Sequence, residues 1–161
     1  LRSVISSFAY THYKNKDLEN EAAKDVLTRA FQNNNAGKIQ KFENWMKENQ
    51  DDKNYFLINK ETTIPDFNLF DILDFYVEFL QYYNFATDKN KKNIFNELGY
   101  PNISKFYNNF IQLPKMQKYL NSIFYTLPYT NKSARFGSGI KGDTWNHTSQ
   151  VDETPAELII N

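Results

Sequence analysis

Two aspartates five residues apart, Asp66 and Asp71, stand in the stretch 62–74, TTIPDFNLFDILD. Paired acids on one helix are an arrangement that general acid–base chemistry can use. Their neighbours also offer a structural role. Thr63 can serve as a helix N-cap, its hydroxyl accepting from the Asp66 N–H, while the Asp66 carboxylate reaches back to the Thr63 N–H as a short-armed capping box. Pro65 falls in the first turn, where a missing N–H costs nothing, and Asp66 complements the positive end of the helix dipole. Ile64, Phe67, Phe70, Leu73, Asp74 and Val77 follow, the last five as a stripe at helical spacing. Asp71 interrupts that apolar run and must be paired or exposed, because burying it alone would cost on the order of several kcal/mol.

Other chemistries find less support. The absence of cysteine removes disulfides, thiolate catalysis and cysteine metal sites together. His12 and His147 lie far apart without a third ligand at metal spacing, so no metal site is expected. Neither a Gly-rich phosphate loop nor a Ser-His-Asp arrangement is visible. Lys+Arg and Asp+Glu balance at 19 each, so no net field draws nucleic acid or an anionic membrane. No apolar run approaches the ~20 residues of a membrane span. Sequons at Asn102, Asn131 and Asn146 are expected by chance in so Asn-rich a chain, and the run from Lys89 to Lys92 reads as a solvated loop.

The elements that must position these residues are helical. Aromatics at 17% with only 5 Gly and 5 Pro in 161 residues favour helices over a turn-rich β fold. Residues 1–13 read as the tail of a helix, with Val4, Ile5, Phe8 and Ala9 as its apolar stripe. A second helix is predicted from about 18 to 48 through Ala22, Val26, Ala30, Ile39, Phe42 and Met46, interrupted at 33–37. The segment 55–58 is apolar and extended, with no second strand available to pair with it. After the capped helix (64–83) a short helix ends at Gly99, and Asn102 is the expected N-cap of the next. Phe106, Phe110 and Leu113 give that helix its apolar face; Pro114 breaks it, and Met116, Tyr119 and Leu120 carry a last one. The expected architecture is an all-α bundle over 1–136 with an extended tail over 137–161.

These motifs resemble a known family. The stretch 63–74 is similar to the cap and central helix of the glutathione transferase C-terminal domain, closest to the mu class, with Thr63, Asp66, Phe67, Asp71, Ile72, Leu73 and Asp74 in its pattern. The segment 100–122 resembles the aromatic-Pro-Asn turn and following helices of the same family, with Pro101, Asn102, Phe106, Phe110, Leu113, Lys115, Tyr119 and Ser122 in register. Residues 2–10 align with the family helix that ends in a substrate-facing tyrosine.

The resemblance implies a glutathione transferase C-terminal-like helical bundle whose first helix is truncated. Thr63 and Asp66 become its folding cap, and Asp71 a buried acceptor of backbone N–H groups. Tyr10 corresponds to the tyrosine that hydrogen-bonds the electrophile, with Arg2, Ser3 and Ser6 along the same pocket wall. Ser3, Ser6 and Ser7 are often apolar positions in the family, which alters that wall, and the register slips by one residue at Tyr129-Thr130, where the family closes the pocket. No catalytic residue is expected within these 161 residues, because the family's glutathione-activating Tyr or Ser belongs to a preceding thioredoxin-like domain. Joined to such a domain, the chain would use glutathione as co-substrate, with no metal, as a cytoplasmic homodimer. The alternative is a non-catalytic subunit held by its tail in a larger, organellar or other assembly.

Overall fold

A computed structural model describes residues 16–32, 38–50, 56–58, 61–86, 93–122 and 125. Six α-helices are present among them: α1 (Lys16–Leu27), α2 (Lys38–Asn49), α3 (Ile64–Tyr82), α4 (Ile94–Glu97), α5 (Pro101–Ile111) and α6 (Pro114–Leu120). A π-helical turn, Thr28–Gln32, continues α1, and no strand occurs among the described residues. The fold is all-α, the class that the composition favours. The helix at 1–13, the interruption at 33–37 and the tail at 137–161 lie outside the described residues.

α3 is the central element. Leu69, Phe70, Leu73, Tyr76, Val77, Phe79 and Leu80 are all buried, so most of its circumference past the first turn faces protein. At its start Asp66 is fully buried and anchors three groups. Oδ2 accepts from the Thr63 N–H at 2.8 Å and the Thr63 hydroxyl at 2.5 Å, and Oδ1 accepts from the Leu57 N–H at 2.7 Å. Thr63 and Asp66 face each other in the reciprocal arrangement of a capping box, and the Asp66 N–H also donates to the Thr63 carbonyl at 3.0 Å. The Leu57 bond answers the question posed by a lone extended segment. Its N–H goes to Asp66 and its carbonyl accepts from Trp45 Nε1 at 3.1 Å, so side chains replace the missing strand.

Asp71 requires a correction. It is exposed, and the buried carboxylates of α3 are Asp66 and Asp74. The role of backbone acceptor for an adjacent segment belongs to Asp66. Helical spacing explains the difference, since Asp74 shares a face with Leu73, Val77 and Phe70, whereas Asp71 is rotated off it. Phe67, expected in the buried stripe, is 48% exposed, although its ring meets Phe110 edge-on at 5.0 Å. In α1 the buried alanine is Ala23, and Ala22 only flanks the core.

The second junction is between α2 and α5. Asn102 is not the N-cap of α5, which is Tyr100, a residue whose side chain makes no capping bond. The cap comes from Glu43, buried in the middle of α2. Its Oε2 accepts from the Ile103 N–H at 2.9 Å, and Oε1 accepts from the Asn102 N–H at 3.0 Å and Nδ2 at 2.7 Å. The orphan amides and the positive dipole end of α5 thus neutralise a carboxylate that could not otherwise be buried. The α3–α5 contact is aromatic: Phe70 stacks on Phe110 at 4.7 Å and on Tyr107 at 5.5 Å, and Phe56 meets Phe106 and Phe110 edge-on.

Two helices end in the same way. Asn84 (φ 55°) and Gly99 (φ 85°) occupy the left-handed position, with Phe85 N–H to Leu80 O at 2.9 Å and Tyr100 N–H to Phe95 O at 2.8 Å closing the terminal turns. A Cβ on Gly99 would meet nothing within 4 Å, so only its backbone conformation asks for glycine.

Asp66→Ala should destabilise the fold by about 3 kcal/mol in urea denaturation, because two partly buried backbone donors lose their acceptor. Asp71→Ala should shift stability by only about 0.5 kcal/mol or less. Equal losses would contradict the assignment of roles.

Candidate functional site around the capped helix

The carboxylates that could have formed an acid pair are committed elsewhere. Asp66 is consumed by its cap and by Leu57, and Asp71 lies on the exposed side of the helix. Asp74, for which the sequence suggested no role beyond the stripe, is 2% exposed and accepts through Oδ1 from the Tyr107 hydroxyl at 2.6 Å and the Tyr125 hydroxyl at 3.1 Å. Among the described residues no group of three His, Cys, Asp or Glu side chains could hold a metal ion. Arg2, Ser3, Ser6 and Tyr10, together with Ser7, His12, Tyr129, Thr130 and His147, lie outside the described residues.

Among the described residues, concavities border α3 on the α6 side and on the α2 side. A cavity of about 430 Å³ lies between α3 and α6, lined by Phe67, Asn68, Phe70, Asp71, Asp74, Met116 and Tyr119. Burial, and then the negative charges of Asp74 and Asp71, push the Tyr119 phenol up from its ordinary value, so it borders this space in its neutral form. A wider groove of about 560 Å³ runs between α2 and α3, walled by Lys38, Lys41, Phe42, Trp45, Leu57, Ile58, Pro65 and Ile72. Both volumes fall within the range of small-molecule sites. The α2 wall was readable in principle. Lys38, Lys41, Phe42 and Trp45 follow i, i+3, i+4, i+7 spacing, yet weighing that helix by its core stripe alone hides the second face.

The tyrosines of the core make its electrostatics legible. Burial raises the Tyr76 phenol far above its ordinary value of 10.0, against a smaller opposing effect of the Arg29 charge. Tyr107 is raised further, first by burial and then by the charge and hydrogen bond of Asp74. Tyr100 is raised by burial and by Glu43, and its hydroxyl donates to the Phe31 carbonyl in the π turn. A raised folded-state value favours the neutral phenol in the native state. That contribution is complete below pH 10 and is lost as pH rises above it, where the unfolded chain ionises and the folded core does not. Each of Tyr76 and Tyr107 should therefore remove about 1.4 kcal/mol of stability per pH unit above pH 10. The check is the urea midpoint between pH 9 and 11 for the chain and for Tyr76→Phe and Tyr107→Phe. Each variant should show a shallower alkaline decline; an unchanged slope would refute the burial of that phenol.

Among the described residues no helix is long and apolar enough to cross a membrane. Neither the curated proteins nor the solved structures provide a match to the chain. The family described as glutathione S-transferase, C-terminal domain, matches residues 2–123, about three quarters of the sequence. That span takes in the capped helix, the Glu43–α5 junction and the aromatic α3–α5 contact. On this match and on its all-α architecture, the chain belongs to the glutathione S-transferase C-terminal domain family.

Proposed function

We propose that this chain supplies the electrophile-binding half of a mu-like glutathione transferase. The observation that carries the reading is the family match across residues 2–123, a span that includes Tyr10 as well as the capped helix. The mu-like assignment is supported by the pattern Thr63, Asp66, Phe67, Asp71, Ile72, Leu73 and Asp74. In this reading a preceding thioredoxin-like domain holds glutathione as thiolate. The sulfur attacks the electrophilic carbon, an S–C bond forms, and a leaving group such as chloride departs with the electron pair. The contribution of this chain is binding and orientation. Tyr10 donates a hydrogen bond to the developing charge on the electrophile, while Arg2, Ser3 and Ser6 form a wall more polar than usual for the family. The active form is a homodimer.

The full-length protein is expected to bind glutathione resin and to conjugate glutathione to a chlorinated nitroarene. Tyr10→Phe should lower kcat/KM by about tenfold, the worth of one transition-state hydrogen bond, with the thermal midpoint unchanged. A folded, complete protein that neither binds the resin nor conjugates would refute the enzymatic reading. Full activity in Tyr10→Phe would remove the tyrosine from it.

A further inference from the structure

The cavity between α3 and α6 takes no part in the proposed conjugation chemistry, and its lining sorts by depth. Phe70, Asp74 and Met116 are buried and form its floor, whereas Phe67, Asp71 and Tyr119 stand exposed at its rim. Phe67 and Tyr119 are 48% and 41% exposed, so two aromatic rings flank the opening within reach of solvent. Two carboxylates border the space, and no basic side chain lines it. Asp71 and Asp74 are three residues apart on one helix, where like charges repel. Both lie beyond the first turn of α3, where the positive dipole end gives no support. Asp74 does answer two tyrosine hydroxyls, but these are neutral donors that fix its geometry without cancelling its charge. The Tyr119 phenol feels the result, raised by burial first and then by the charges of Asp74 and Asp71.

The floor is also set in advance. Phe70 stacks on Phe110 and Tyr107, and the Tyr107 hydroxyl holds Asp74 at 2.6 Å, so ring and carboxylate are fixed relative to each other. Too few acids converge among the described residues to hold a metal ion, and the rest of the lining is largely apolar. The positive charge that suits this space is therefore one carried on an organic body. Aromatic faces attract an ammonium through their quadrupole, and the Met116 thioether adds a soft apolar contact. At about 430 Å³ the cavity has the size of a small-molecule site.

We propose that this cavity binds a small organic ammonium ion with a flat apolar body. The ammonium lies between Asp71 and Asp74, and the body rests against Phe67, Tyr119 and Met116. The test is calorimetric titration of the full-length protein with three indoles of nearly the same shape: tryptamine, a cation; tryptophol, which is neutral; and indole-3-propionate, an anion. Tryptamine should bind about tenfold more tightly than tryptophol, with indole-3-propionate the weakest. Asp71→Asn changes only an exposed rim position and, with near-UV circular dichroism unchanged, should lose most of that preference while tryptophol keeps its affinity. Asn68→Arg, which sets a competing cation on the same exposed rim, should also lose it. Equal affinity for tryptamine and tryptophol, tighter binding of indole-3-propionate, or retention of the preference in both variants would overturn the proposal. Glutathione conjugation should be unchanged in Asn68→Arg, so this result and the conjugation assay are independent.

Discussion

A carboxylate can be buried only where donors surround it, and the start of α3 is built around one that is. Asp66 has no exposed surface, and its two oxygens take the Thr63 N–H, the Thr63 hydroxyl and the Leu57 N–H. One side chain therefore fixes where α3, the longest of the described helices, begins and where the preceding segment lies against it. Leu57 in turn accepts from Trp45, which ties α2 to the same point. The order of these links matters physically. A cap alone contributes about 1 kcal/mol, whereas a cap that also satisfies a buried amide of another segment couples local helix formation to tertiary packing.

The same device recurs at the other end of the core. Glu43 lies in the interior only because the first amides of α5 converge on it, and Asp74 because two tyrosine hydroxyls do. Each buried acid joins elements distant in sequence, while stacked aromatics between α3 and α5 fill the space around them. An acid-lined core of this kind resembles a set of catalytic carboxylates when read as a list of residues. Its hydrogen bonds show three structural acceptors, each matched to its donors. The concave surfaces left beside these acceptors are the cavity towards α6 and the groove towards α2.

How much of this the sequence discloses depends on the range of the interaction. The start of α3 could be read from Thr63, Pro65 and Asp66 because a cap is made by residues three apart. Gly99 and Pro114 marked helix ends for equally local reasons. Asn102 misled because its residue type suits an N-cap while the actual acceptor, Glu43, lies 59 residues away. Asp71 misled for a related reason: membership in a family pattern says that a residue recurs, and only rotation about the helix decides whether it faces protein or water. Trp45 and its two lysines escaped notice because a helix with one buried stripe hides a second, half-exposed one. Tyr10, Arg2, Ser3 and Ser6 were reached only through family register, and their geometry lies outside the described residues.

The central claim is that the Asp66 carboxylate holds the segment before α3 as firmly as the helix itself. Leu57 lies outside every helix, so hydrogen exchange of its amide reports that bond directly. The Leu57 N–H should exchange as slowly as the core amides of α3 around Leu73 and Val77. Exchange at the rate of an open loop amide would contradict the account.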